Sequence, residues 1–282
     1  MEIPKELKID EKKALAYTIK WIKDYFKPLR SRKAVIGLSG GSDSTFTAYV
    51  CCLALGRENV LGVIMPSDSN PKEDEDDARL VAKVLGIKTK TINISAILAP
   101  IKKLNPELNK KINRVAMANI KARVRMLLLY KEANENKSIV AGTDDRSEHD
   151  LGYYTKYGDG GVDINVPEHL YKTQLRQILM YIGNIENFGI FKKIGEKIPS
   201  PRLWKGQTAE NELSMSYKDI DRILYCVNEK MIISPAKISE ITGIDKTRVI
   251  KIINTAKINQ HKNRLPPSPA VKYFNVEVHK LK

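Results

Sequence analysis

The stretch Ala34-Val35-Ile36-Gly37-Leu38-Ser39-Gly40-Gly41-Ser42-Asp43-Ser44 passes from a short apolar run into a glycine turn rich in hydroxyls. The run reads as a buried strand, and the residues after the turn, to about Leu55, read as a helix. Two adjacent glycines let the backbone turn sharply with its N–H groups outward. Those groups, with the helix N-terminus behind them, form an anion nest suited to phosphate. Ser39, Ser42 and Ser44 add hydroxyl donors. The chain has no GxxxxGKS or GxxxxGKT, so the loop is not a Walker A loop, and its spacing lacks the GxGxxG of a dinucleotide fingerprint. Alone, the turn also reads as an ordinary glycine-rich connection.

Outward from the loop, strands and helices alternate. Asp10 to Lys27 predicts an amphipathic helix, with Leu15, Ile19, Ile22 and Phe26 on one face, Asp10 as cap and Pro28 near its end. Asn59 to Met65 predicts a second strand, Pro71 to Leu85 a helix with an acidic first turn, and Lys88 to Ile94 a third strand. Asn109 to Glu135 holds a long helix with Val115, Ala122, Met126 and Leu129 on one stripe, and Ser138 to Gly142 is a fourth strand. This alternation indicates βαβ units and an α/β fold, an open and mostly parallel sheet flanked by helices. Ligands of such sheets bind beyond the carboxyl ends of the strands, near a reversal of strand order.

Asp144 to Val166 turns to Gly, Asp and Tyr and reads as loop-rich. Glu168 to Tyr181 predicts a helix. Asn184 to Ser214 shows little periodicity, and loops of that length are usually functional or disordered. Helices return at Tyr217 to Lys230, Pro235 to Thr242 and Lys246 to Lys257, before a tail with Pro266-Pro267-Ser268-Pro269, which cannot be helix interior. The expected organisation is one catalytic domain over 1–282: an N-terminal helix at 10–30, a nucleotide-binding core at 34–185, a lid-like loop at 186–214, and C-terminal helices and tail at 215–282.

Bulk properties narrow the class. The chain has 282 residues, 42% hydrophobic. No signal-peptide pattern opens it, and the longest apolar stretch, Tyr49 to Leu55, falls far short of the roughly 18 residues of a membrane span. A soluble cytoplasmic protein is expected. Three cysteines, Cys51, Cys52 and Cys226, with no CxxC and no Cys/His cluster, argue against a disulfide scaffold or a zinc site. Lys and Arg exceed Asp and Glu by 48 to 33, a net charge of +15 that attracts polyanions but is spread along the chain without a basic tail.

The Ser39–Ser44 loop resembles the SGGxDS signature of the N-type ATP pyrophosphatases, a superfamily that includes NAD synthetase, GMP synthetase, asparagine synthetase and several tRNA-modifying enzymes. The segment Gly152-Tyr153-Tyr154-Thr155-Lys156-Tyr157-Gly158-Asp159-Gly160-Gly161-Val162-Asp163-Ile164 is similar to the FTKYGDGGxDI segment of the ammonia-dependent NAD synthetases. Asn119-Ile120-Lys121-Ala122-Arg123-Val124-Arg125 resembles that family's GNxKARxR helix. Leu170-Tyr171-Lys172, Ile198-Pro199-Ser200, and His261-Lys262 ahead of Arg264-Leu265-Pro266-Pro267 follow in the family's order, so the likeness spans about residues 15 to 274.

The resemblance implies an adenine-nucleotide-alpha-hydrolase-like fold and a ligase that amidates deamido-NAD with ammonia, consuming ATP as co-substrate and releasing NAD, AMP and pyrophosphate. Gly37, Leu38, Ser39, Gly40, Gly41, Ser42, Asp43, Ser44, Thr143, Lys172 and Ser200 would bind ATP. Asp43 and Glu148 would bind Mg²⁺. Arg123, Lys156, Asp163, His261 and Lys262 would bind deamido-NAD. Asp43, Lys172 and Asp159 carry the catalytic assignment, Asp159 as acceptor of the ammonium proton. Two polyanionic substrates need cations around them, which Mg²⁺ and these basic side chains supply. Free ammonia is the expected nitrogen source, since about forty residues precede the loop and none is Cys. A homodimer is expected, with no membrane or nucleic-acid partner. Asp144 and Asp145 depart from the pattern by adding negative charge near Glu148, and Asn263 stands where a basic residue is expected.

Two rival readings use the same residues. A tRNA-modifying enzyme would share the loop and suit the charge, but the TKYGDGG segment has no role there. A helix-turn-helix at Pro235 to Ile253, with Lys246, Arg248 and Lys251 on its second helix, would suit DNA, although such helix pairs are common in α/β enzymes.

Overall fold

A computed structural model describes residues 3–68, 70–200, 204 and 207–267. Helix α1 (Glu11–Phe26) begins where the Asp10 carboxylate accepts the Lys13 N–H at 2.9 Å, the N-cap expected from the sequence. Strand β1 (Ala34–Gly37) leads through the glycine loop into α2 (Ser42–Leu55), then β2 (Val60–Ile64), α3 (Lys72–Leu85), β3 (Lys88–Thr91), α4 (Ser95–Leu104), α5 (Arg114–Asn136) and β4 (Ile139–Gly142). A short helix α6 (Arg146–Leu151) and a two-residue strand β5 (Ile164–Asn165) follow, then α7 (Lys172–Ile185), α8 (Gly189–Glu196), α9 (Ala209–Leu213), α10 (Tyr217–Asn228), α11 (Pro235–Thr242) and α12 (Lys246–Asn259).

The five strands form one parallel sheet in the order β3-β2-β1-β4-β5. The alternation of β1 decides which side chain faces which layer: Ala34 and Ile36 join the core under α1, α2, α7 and α8, whereas Val35 joins Val63, Val140 and Met117 under α5. The chain runs outward on one side of β1 and then returns to build β4 and β5 on the other. The crevice of this reversal lies between β1 and β4, where ligands of such sheets bind. A third cluster, built on Tyr171, Ile220, Leu224, Ile238 and Val249, packs the C-terminal helices against α6. Gly243 ends α11 in the left-handed conformation, and Ile238, Val249 and Ile252 bury the inner faces of α11 and α12, so this helix pair is a packing unit of the domain.

Several boundaries differ from the sequence expectation. Strand β3 stops at Thr91 and is exposed throughout, an edge strand guarded by Lys88 and Lys90. Two 3-10 turns precede α5, and Val115 is 56% exposed, leaving the stripe. Helix α7 starts at Lys172 rather than Glu168. The turn before it is held by Leu170 N–H donating to Pro167 O and by Leu170 O accepting from Arg146 N–H. Lys172 therefore stands at the first position of a helix instead of inside one.

The segment read as loop-rich contains α6, β5 and a chain of turns. The lid-like loop at 186–214 is corrected more strongly. Ile190, Phe191 and Ile194 of α8 are buried in the main core, because their i, i+1, i+4 spacing gives eight residues an apolar face against α7 and α3. Helix α9 occupies 209–213 of the remaining stretch, of which 201–203 and 205–206 lie outside the described residues, as do Ser268 and Pro269 of the tail. Phe191→Ala is expected to destabilise the chain by about 3–5 kcal/mol. Urea unfolding would read it, and an unshifted midpoint would return α8 to the lid.

Candidate functional site

Leu38 continues β1 by one bond, its N–H donating to Val63 O at 2.9 Å, and the chain then turns at Gly40. Gly40 has φ +75°, and a Cβ there would lie 2.2 Å from the Asp74 carbonyl oxygen. Only glycine fits, since the backbone is left-handed and α3 packs directly on the turn. Helix α2 follows with Gly41 at its N-cap and no side chain capping its first N–H groups. Ser39 and Ser44 bridge the loop at 3.0 Å between their hydroxyls, fixing its curvature. The result is a rigid loop with unclaimed donors and the positive end of a helix dipole, as an anion site requires.

On the other side of the crevice, β4 ends at Gly142 and the chain enters α6 through Thr143, Asp144 and Asp145. Asp145 is the N-cap: its Oδ1 accepts the Glu148 N–H at 2.9 Å, and Glu148 Oε2 accepts the Asp145 N–H at 3.3 Å, a reciprocal capping box. The second oxygen of Asp145 turns into the crevice. There the Lys172 ammonium lies 2.7 Å from Asp43 Oδ1, 2.8 Å from Asp145 Oδ2 and 3.0 Å from Glu148 Oε1. Three helix N-termini thus meet at one ammonium.

Lys172 is 1% exposed. Burial alone would push its ammonium down, but the three carboxylates outweigh this and hold it well above its ordinary value. Burial also raises the acids beyond what Lys172 can offset: Asp145 to about 7, Glu148 well above the usual carboxylate range. Asp144, buried beside them, rises for the same reason, with Asp159, Glu148 and Asp43 adding repulsion. One ammonium among so many acids stays charged; the surplus is on the acidic side. Among the described residues, Asp43, Asp145 and Glu148 offer oxygens within 4.8 Å of one another, so this cluster has the donor type for a hard divalent cation, which would displace the protons that the raised carboxyls retain.

The cavity around this cluster takes in the whole Gly37–Ser44 stretch, with Thr143, Glu148, Asp159, Lys172 and Ser200. Part of its wall is apolar, formed by Ile64, Met65, Leu129 and Val162. Asp159 accepts the Thr155 N–H at 2.8 Å. The protein around it raises its pKa, partly offset by that bond, while the carboxylate stays open to solvent through the cavity mouth. The structure also gives places to residues that the sequence left without a role. Arg125 lines the cavity and anchors the loop after β2, donating to Met65 O at 3.1 Å and Asn70 Oδ1 at 3.0 Å. Burial lowers its guanidinium to about 10. Asp145 was legible as a cap from its D-x-x-E spacing to Glu148, but its second oxygen was not.

The five residues assigned to the second substrate do not gather in this cavity. Lys156 donates to the carbonyls of His261 and Arg264 at 2.9 and 2.7 Å, and Lys262 to those of Gly152 and Tyr154 at 2.7 and 2.8 Å. Arg123 donates to Lys156 O at 3.3 Å. These cations lace the segment after α12 to the 152–160 turns. Asn263 donates to His149 O at 2.9 Å and accepts from the Tyr154 hydroxyl at 2.8 Å, so it serves the same seam. Asp163 is apart. It accepts the Val140 N–H at 2.8 Å and the Tyr130 hydroxyl at 3.1 Å, and lines a separate groove with Tyr17, Trp21, Tyr25 and His169.

A family model described as NAD synthase matches residues 14–266. The NH(3)-dependent NAD(+) synthetase of Hyperthermus butylicus is 42% identical over 250 residues, covering 88% of this chain and 87% of the relative. That of Methanocaldococcus jannaschii is 38% identical, covering 89% and 94%. Among solved structures, the NMN synthetase of Francisella tularensis superposes with a TM-score of 0.78 at 29% identity, covering 93% of this chain and 99% of that one. The NH3-dependent NAD synthetase of Campylobacter jejuni superposes at 0.74 and 28% identity, covering 93% and 100%.

Lys172→Met removes the cluster's ammonium and leaves its carboxylates facing one another. Breaking a buried ion group in this way is expected to cost on the order of 3 kcal/mol without divalent cations. Added Mg²⁺ is then expected to raise the melting temperature of the variant by more than that of the wild type. Equal responses in calorimetry would count against cation binding by these acids.

Proposed function

The chain belongs to the NAD synthase family, and from that premise we infer its activity: it amidates deamido-NAD with ammonia at the expense of ATP, giving NAD, AMP and pyrophosphate. One observation above the others carries this, the likeness at about 40% identity over most of the chain to NH(3)-dependent NAD(+) synthetases. The crevice geometry supports it independently, because a phosphate-ready helix end faces a lysine set among carboxylates.

We assign the residues as follows. Loop residues Gly37 to Ser44 hold the ATP phosphates through backbone N–H groups and serine hydroxyls, with Thr143 and Ser200 beside them. The apolar part of the cavity wall, where a Cβ on Gly37 would lie 3.5 Å from Leu129 and Met65, takes the adenine. Lys172 moves its charge from the acids to the phosphates as ATP enters. Asp43, Asp145 and Glu148 would hold Mg²⁺, which when bound offsets the phosphate charge and makes the α-phosphorus more electrophilic. A nicotinate carboxylate oxygen attacks that phosphorus and the bond to pyrophosphate breaks. Ammonia then attacks the acyl carbon and AMP leaves. Asp159 takes the proton that ammonium must lose first, and its raised pKa makes it a stronger base than a free carboxylate. The protein's part is positioning and charge stabilisation.

The second substrate is placed at the contact of two copies of this chain. Tyr17, Trp21 and Tyr25 leave an aromatic face of α1 open, with Trp21 and Tyr25 stacked at 5.7 Å, beside the groove that holds Asp163. A second copy covering this face would complete a pocket that Arg123, Lys156, His261 and Lys262 border from the other side. The flanks 197–200 and 207–214 close the ATP end and exclude water from the adenylate. A cytoplasmic location goes with this reading.

The direct test combines purified protein with ATP, Mg²⁺, ammonium and deamido-NAD, and quantifies NAD and AMP. Equal yields are expected, absent without deamido-NAD and reduced by at least about a hundredfold in Asp43→Ala. Nicotinate mononucleotide serves as the competing substrate, since a structural relative carries the name NMN synthetase. Amidation of the mononucleotide alone would keep the chemistry and change the substrate. For the assembly, sedimentation is expected to give a dimer that Trp21→Asp converts to a monomer with impaired deamido-NAD use. A wild-type monomer with full activity would refute the shared pocket.

A further inference from the structure

Helix α7 carries Lys172 at its first position, and a cation there opposes the positive end of the helix dipole. The N-cap residue, Tyr171, offers its first-turn N–H groups no side-chain acceptor. Within α7, Gln174 Oε1 accepts the Tyr171 N–H at 3.0 Å, and two other helices supply acceptors for the next two N–H groups. The Lys172 N–H donates to Ser147 Oγ of α6 at 2.9 Å, and the Thr173 N–H donates to Asp221 Oδ2 of α10 at 2.9 Å. Asp221 Oδ2 also accepts the Thr173 hydroxyl at 2.7 Å, while its Oδ1 accepts the Ser147 hydroxyl at 2.5 Å.

Asp221 is 0% exposed. Burying a carboxylate is costly, and an apolar residue would fill a helix contact at lower cost. Here each bond to the carboxylate comes from a residue next to a member of the cluster: Ser147 precedes Glu148, and Thr173 follows Lys172. One turn earlier on α10, the Tyr217 ring lies 5.4 Å from the Lys172 ammonium. Helix α10 therefore holds the backbone on either side of the Lys172 N–H, through Ser147 and the Thr173 N–H, and faces the side-chain end of Lys172.

We propose that Asp221 is a positioning residue for the reaction. It caps α7 from another helix, locks α6 to α7, and sets where the Lys172 ammonium and the Glu148 carboxylate stand. This rests on the assignment of Lys172 to ATP. Misplacement of such a group by about 1 Å is expected to lower kcat on the order of a hundredfold, with only a minor effect on the second substrate.

The test is a double-variant cycle on the full chain: wild type, Asp221→Asn, Lys172→Met and the pair, each with kcat, both KM values, calorimetric affinity for MgATP and a melting temperature. Asparagine keeps the size but removes the charge and cannot serve all three donors. Asp221→Asn is expected to lose at least about tenfold in kcat with KM for deamido-NAD changed less than about twofold, and to add less than about twofold loss once Lys172 is Met. The same fold-loss in both backgrounds, or no loss in the first, would overturn the proposal, because a merely structural role acts whether or not the lysine is present. If Asp221→Asn does not fold, Ser147→Ala enters the same cycle, since it removes the hydroxyl joining Asp221 to the Lys172 N–H. Wild-type protein that makes no NAD would sink the enzymatic assignment instead, and the cycle would still be read in MgATP affinity.

Discussion

A buried ammonium surrounded by three carboxylates is the interaction on which this molecule turns. Lys172 stays charged because Asp145, Asp43 and Glu148 surround it, and those acids are tolerable at such proximity because Lys172 stands between them. Neither side is balanced. The acids outnumber the base, and burial raises Asp145 and Glu148, so these carboxyls hold on to protons beside the loop that presents its N–H groups.

The fold reaches this arrangement through helix ends. Asp43 lies in the first turn of α2, Asp145 and Glu148 at the N-cap and third position of α6, and Lys172 at the first position of α7. Carboxylates at helix N-termini are stabilised by the dipole, and a lysine there is not. The dipole thus supports three members of the cluster and opposes the fourth. The opposing member is the one with a cap brought from outside, through Ser147 and Asp221. The sheet makes the meeting possible, because the strand-order reversal at β1 and β4 sends their following loops apart and leaves the crevice between them.

The cations assigned to the second substrate behave differently. Lys156 and Lys262 donate to backbone carbonyls and tie the segment after α12 to the 152–160 turns, while Asp163 sits at the sheet edge near the open face of α1. In one copy of the chain these positions form no single surface. The proposed pocket shared between two copies would bring them together, with the aromatic face of α1 at the contact.

Much of this was written in the chain. The apolar run at Ala34–Gly37, the glycine turn and the helix behind it are local: propensity, φ requirements and periodicity act over a few residues, so the strand, loop and helix could be read directly, as could α1, α3 and the alternation that makes the sheet parallel. The motifs also marked Asp43, Glu148, Lys172 and Asp159, and the cavity contains all of them. What the sequence could not decide depends on distant partners. Lys172 looked like a residue within a helix, and α8 looked like part of a lid, because neither the Arg146–Leu170 bond nor the core face under Phe191 is visible locally. Asp145 showed along the chain only as extra negative charge near Glu148 and Asp221 as an ordinary acid, and only the packing of α6, α7 and α10 makes one of them part of the charge cluster and the other a helix cap. Short-range periodicity determines elements; charge placement inside a protein is set by which elements meet, and that is decided in three dimensions.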